Sequence, residues 1–175
     1  MTITIDEVSA AVGQAASDEL DGAMRNINHC LSQLTDEQIW WRPAESMNSI
    51  ANLMLHLCGN LRQWIVSGVG DTEDVRNRPQ EFSERGPLSK EELLRRIEAV
   101  VSEANSVLAR VTPSELLRTR RIQSFDVTGM QAIFESTAHF RGHTQEIVHI
   151  TRCKLGDAYE FAFVPATPEQ GAPEE

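Results

Sequence analysis

Two of the five histidines in this chain of 175 residues, His139 and His143, stand four apart. On an α-helix that spacing puts them about 40° apart on the wheel, one turn above the other. Measured from His139, Ile133, Phe140 and Ile147 lie at about 80–120°, while Arg141, Gln145 and Arg152 lie at about 200–240°. Both imidazoles therefore sit on the inner edge of their helix. His56 has the same surroundings: Ile50, Leu53, Leu57 and Trp64 span about 60–120° from it, with Asn60 near 40° and Gln63 near −20°. Metal sites in helical proteins are built this way, from inward ligands on facing helices. Three imidazoles leave a fourth tetrahedral position for water or substrate, the coordination of a catalytic ion. The alternative is that the three are ordinary core histidines, each of which then needs a hydrogen-bond partner. His149 lies about 120° from His143 and is a poor third ligand; His29 has no partner at ligand spacing.

Imidazoles suit zinc, nickel, copper and iron alike, so the donor set does not select the ion. Such an ion activates a water or a thiol by lowering its pKa. Glu135 and Glu146 flank the histidine pair and are the candidate catalytic carboxylates, to orient a ligand or act as a base. The alternative for both is a solvated or salt-bridged helix carboxylate. Arg76 and Arg78 are suited to an anionic substrate group, because a guanidinium binds carboxylates bidentately. They would otherwise pin their loop to an acidic body. Cys58 lies about 200° from His56 and Cys153 about 80° from His143, so neither is a good ligand.

Four long segments with helical spacing must carry these residues. The first runs from about Ile5 to Leu34, and a short turn capped by Thr35 and Gln38 follows and stops at Pro43. The second begins at Asn48 or Ser49 and runs to about Val66, with Gly68 and Gly70 ending it. Residues 67–87 have no period and form a long loop or crossover. The third segment opens on the capping box Ser89 to Glu92 and continues to about Val111, with Pro113 closing it. Residues 119–129 read as a short extended piece or hairpin. The fourth starts after Thr128-Gly129, runs through Met130 to Leu155 and ends at Gly156. The expected fold is all-α, a four-helix bundle with a long crossover between its second and third helices. One domain covers residues 1–165, and 166–175, rich in Pro, Glu and Ala, is expected to be a disordered tail.

Sixteen Lys and Arg against 26 Asp and Glu give a net charge of −10. That charge repels phosphate backbones and anionic bilayers, so neither nucleic acid nor membrane is an expected partner. Three widely spaced cysteines, without a CxxC, exclude a disulfide scaffold and a zinc ribbon and fit free thiols in the cytoplasm.

Several short pieces recur in a known order: Trp41-Arg42-Pro43, Asn48-Ser49-Ile50-Ala51, His56-Leu57-Cys58-Gly59-Asn60-Leu61, the run from Arg76 to Phe82, and His139-Phe140-Arg141-Gly142-His143. In these the chain resembles the DinB-like superfamily, in its branch of uncharacterised bacterial proteins, from the first helix to about Pro165. The resemblance implies an up-down-down-up bundle and a divalent metal ion (Zn, Ni or Fe) held by His56, His139 and His143. It also implies a homodimer. Relatives include S-transferases that use a low-molecular-weight thiol, bacillithiol or mycothiol, and a maleylpyruvate isomerase. Thr144-Gln145-Glu146-Ile147 departs from the family's usual Gly-Gln-Ile after the last ligand, setting a carboxylate where a neutral amide is usual. The expected function is a metal-dependent enzyme acting on a small molecule, S-transferase-like or hydrolase-like. A non-catalytic metal- or ligand-binding protein of a stress response is the alternative.

Overall fold

In the computed structural model, which describes residues 3–164, helices begin where short polar side chains cap them. Thr4 accepts from the Glu7 N–H and opens α1 (Ile5–Ser32). Ser49 accepts from the Asn52 N–H and opens α2 (Ile50–Leu61). Each side chain satisfies an amide that has no partner inside the helix. After α2 the chain does not continue as the regular helix expected to Val66. Residues Arg62–Val69 form a π-helical stretch, in which the Gly70 N–H reaches back five residues to the Ile65 carbonyl at 2.9 Å. The wider turn packs Trp64, Ile65, Val66 and Val69 into the interior together.

The crossover contains a short helix, α3 (Arg78–Ser83), that periodicity alone does not announce. Its signal is Pro79 in the first turn, where a missing N–H does no harm. α4 (Lys90–Leu108) starts at Ser89, whose side chain accepts from the Glu92 N–H. The reciprocal half of that expected capping box is missing, because the Glu92 carboxylate is taken by Arg95 and Arg96. α4 also stops before Val111, and Pro113 does not simply close it. Thr112 caps a further short helix, α5 (Pro113–Leu117), with Pro113 at its first position. β1 (Thr119–Ile122) and β2 (Phe125–Thr128) pair antiparallel, Thr119 opposite Thr128, as the hairpin that residues 119–129 suggested. α6 (Gly129–Leu155) follows, capped by Thr128 and ended by Gly156 at φ 56°. The expected tail 166–175 lies outside the described residues.

The described chain is thus mostly helical, with one small hairpin. α1 packs on α6 and α4, and α2 packs on α4 and α6, around a core that includes Leu20, Ile27, Leu53, Leu57, Ile97 and Phe140. The pairing of α2 with α6 is the one a site shared by His56, His139 and His143 requires. No helix among the described residues is long and apolar enough to cross a membrane.

The α1–α4 contact is close enough to test. A Cβ on Gly13 would lie 2.2 Å from the Leu108 carbonyl oxygen. Alanine gains about 1 kcal/mol of helix propensity over glycine, whereas forcing bulk into a packed contact costs about 1–3 kcal/mol. Gly13→Ala is expected to be net destabilising, read as a lower denaturant midpoint. An unchanged or raised midpoint would show that these helices do not approach so closely.

Candidate metal centre

His56 from α2 and His139 and His143 from α6 converge. One ring nitrogen from each lies within 4.8 Å of the others. The Nε2 atoms of His56 and His139 are 2.9 Å apart, close to the roughly 3.3 Å that two nitrogens keep on a tetrahedral ion bonded at about 2.0–2.1 Å. The rings stand nearly edge-on to one another, with centroids 4.5–5.1 Å apart. His56 is buried; His139 and His143 are half-buried on α6.

Carboxylates fix two of the three rings. His56 Nδ1 is 2.8 Å from Glu81 Oε2, and His143 Nδ1 is 2.7 Å from Glu146 Oε2. An ionised carboxylate only accepts, so each Nδ1 carries a proton, and in the neutral ring Nε2 then has the lone pair. Arg76 Nη2 also lies 3.2 Å from His56 Nδ1. Two donors cannot bond one another, so the nearer carboxylate decides the tautomer. Two fixed lone pairs beside a third imidazole are a donor set that fits a divalent ion.

Glu81 is itself gripped. Arg76 donates from Nε to Oε1 at 2.7 Å and from Nη2 to Oε2 at 2.8 Å. The two side chains are only 2% and 8% exposed. Burial pushes the Glu81 carboxyl up, but hydrogen bonds from Arg76 and His56 outweigh it, leaving it below the usual carboxylate range. Asn52 of α2 holds the Glu81 carbonyl at 2.9 Å, and Arg76 Nη1 donates to Gln63 Oε1 at 2.9 Å.

His139 is pushed down to about 4, first by burial and then by the charges of His143, His56, Arg76 and Arg78. The unfolded chain protonates this imidazole below about pH 6.5, whereas the folded one stays neutral until about pH 4. The unfolded state binds more protons in that window, so stability falls as pH drops through it. In chelator-treated protein, His139→Gln should flatten the loss between those limits, read by thermal melts. Parallel pH curves for variant and wild type would contradict it.

The other expected site residues are distributed differently. Glu135 is exposed and makes no hydrogen bond to His139; on the wheel it lies about −40° from that residue, turned away from the apolar face. Glu146 reaches His143. Arg76 faces inward, committed to Glu81 and Gln63, and so does not present a free guanidinium to a substrate. Arg78 is exposed, its guanidinium 5.0 Å over the Phe82 ring, and that ring is 4.9 Å from His56. Arg78 has no acidic partner among the described residues. His29 bonds the Glu160 carbonyl at 2.6 Å, and His149 lies 3.6 Å from Cys153 Sγ. Both are separate from the cluster.

Glu81 and Phe82 are the residues that spacing did not single out. Their clue is Gly59, three residues after His56: a Cβ there would lie 2.0 Å from Glu81 Oε1. A cavity of about 660 Å³ lies elsewhere, lined by Val8, Val12, Ala15, Ile133 and Phe134 between α1 and α6. Its lining is almost wholly apolar and includes none of the three histidines, so it is separate from their cluster.

Residues 7–167 match the family model described as "Protein of unknown function (DUF1572)". Among solved structures the chain is similar to one described as the conserved protein of locus from Enterococcus faecalis. The TM-score is 0.69 at 20% identity, over 82% of this chain and 97% of that one. At that identity the likeness shows the fold. No curated protein matches the chain.

Proposed function

The chain belongs to the DUF1572 family of proteins of unknown function, and for it we propose a metal-dependent enzyme of the DinB-like kind, S-transferase-like or hydrolase-like, on an up-down-down-up helical bundle. His56, His139 and His143 would hold a divalent ion. The observation that carries this reading is the convergence of three ring nitrogens within 4.8 Å, two of them on rings whose far nitrogen faces a carboxylate. A zinc, nickel or iron ion there would supply Lewis acidity, lowering the pKa of a water or a low-molecular-weight thiol.

The chain's own residues would do the rest. Glu146 keeps His143 oriented and is the carboxylate placed to hold a proton beside the cluster. Arg78, uncommitted at the rim and stacked on Phe82, is the group assigned to an anionic part of a small-molecule substrate. The proposal includes a homodimer in the cytoplasm. A second reading, metal or ligand binding without turnover, is favoured by the exposure of Glu135, which leaves Glu146 as the one carboxylate of the expected pair in contact with the cluster.

Protein purified without chelator should carry about one equivalent of divalent metal by elemental analysis. Thiol transfer to a small electrophile should then fall to background in His143→Ala. Metal with equal rates in wild type and variant would favour the binding protein; absence of metal would remove the enzyme and the metal-binding form of the second reading.

A further inference from the structure

We propose that Glu81 is a positioning residue of the metal centre: clamped by Arg76 and seated against Gly59, it holds the His56 proton on Nδ1 and so keeps Nε2 as the ligating nitrogen. This rests on reading the three histidines as metal ligands. Three separate parts of the chain meet at one imidazole nitrogen. α2 supplies His56, the open surface at Gly59, and Asn52, which holds the Glu81 main chain. The crossover supplies Arg76, and α3 supplies Glu81.

Stability alone is a poor account of such a group. A buried ion pair recovers its desolvation penalty only with good geometry and is often no better than a well-packed apolar pair. What this pair adds is direction. Arg76 occupies both carboxylate oxygens, Oε1 through Nε and Oε2 through Nη2, so the carboxylate is held in one orientation. Oε2 is then left facing His56 Nδ1 at 2.8 Å. The carboxylate reaches this place because residue 59 has no side chain: even a methyl would overlap Oε1. Ligand histidines are commonly oriented by such a carboxylate on their other nitrogen, and losing it weakens metal binding by about 10–100-fold. The Glu146–His143 pair is a more exposed version on a single helix, with side chains 37% and 25% exposed, and has no arginine clamp among the described residues.

The test separates orientation from buried charge. In the double variant Arg76→Met/Glu81→Gln, both charges are gone but an amide oxygen can still accept from His56 Nδ1. In Arg76→Met/Glu81→Met the acceptor is gone too. Cobalt(II) affinity, read by visible absorption with folding checked by circular dichroism, should stay near wild type in the first. In the second it should fall by about 10–100-fold. Nitrogen-15 shifts of metal-free wild type should show His56 protonated on Nδ1, a readout that stands even if the second variant fails to fold. Equal cobalt affinity in the two variants, or a proton on Nε2 in wild type, would overturn the proposal. Wild type that binds no cobalt but keeps the Nδ1 proton would remove the metal reading itself, and the positioning role with it.

Discussion

His139→Ala is expected to abolish stoichiometric divalent-metal binding while leaving the helices folded. Its Nε2 is the nearest neighbour of His56 Nε2, at 2.9 Å, and it shares α6 with His143. Removing it reduces three nitrogens to two. Losing a ligand should exceed the roughly 10–100-fold effect of losing a ligand's hydrogen-bond partner. The metal-free fold should suffer little, since burial already disfavours this ring's charged form and holds its pKa at about 4. A ligand present at about 100 times its Kd stabilises a folded protein by about 2.7 kcal/mol. Wild type should therefore gain a clear rise in Tm on adding zinc or nickel, and His139→Ala should gain none. Equal rises would place the ion elsewhere.

The second large effect concerns stability. Glu81→Ala leaves Arg76, whose side chain is 2% exposed, without its anion. Breaking a buried pair from one side costs about 3–5 kcal/mol, and arginine cannot escape by losing its proton. Arg76→Met should be milder, because an unpaired Glu81 can take up a proton and keep a hydrogen bond toward His56. The difference should widen as pH falls from neutral toward 5, where the lone carboxyl is protonated more readily. Denaturant midpoints of the two variants test this. Arg76→Met as damaging as Glu81→Ala at every pH would mean that the pair does not act as a buried ion pair.

How much of this could be read from the chain depends on the range of the interaction. His139 and His143 were legible because a helix repeats every 3.6 residues, so a spacing of four fixes a shared face. His56 was legible because its apolar neighbours define the face that α2 buries. The caps at Ser49 and Ser89 were legible because they satisfy amides only three residues away. Glu81 was not, because its position depends on how a crossover without periodicity lies across α2. The six residues of α3 are too few to show a period. The π-helical stretch was hidden too: apolar spacing there continues, while the hydrogen bonds lengthen to five residues. Arg76 and Arg78 look alike in sequence, and only the fold turns one inward to Glu81 and leaves the other at the surface. Glu135 is exposed although it stands four residues before half-buried His139, since the 40° between them on the wheel carries it further from the apolar face.

The most direct measurement is X-ray diffraction from crystals grown with zinc or nickel, with data collected at the metal's absorption edge. The account predicts one anomalous peak at about 2.0–2.1 Å from a nitrogen of each of His56, His139 and His143, with Glu81 still on the far nitrogen of His56. An anomalous peak bound away from these rings, or fully loaded crystals with no peak among them, would contradict it.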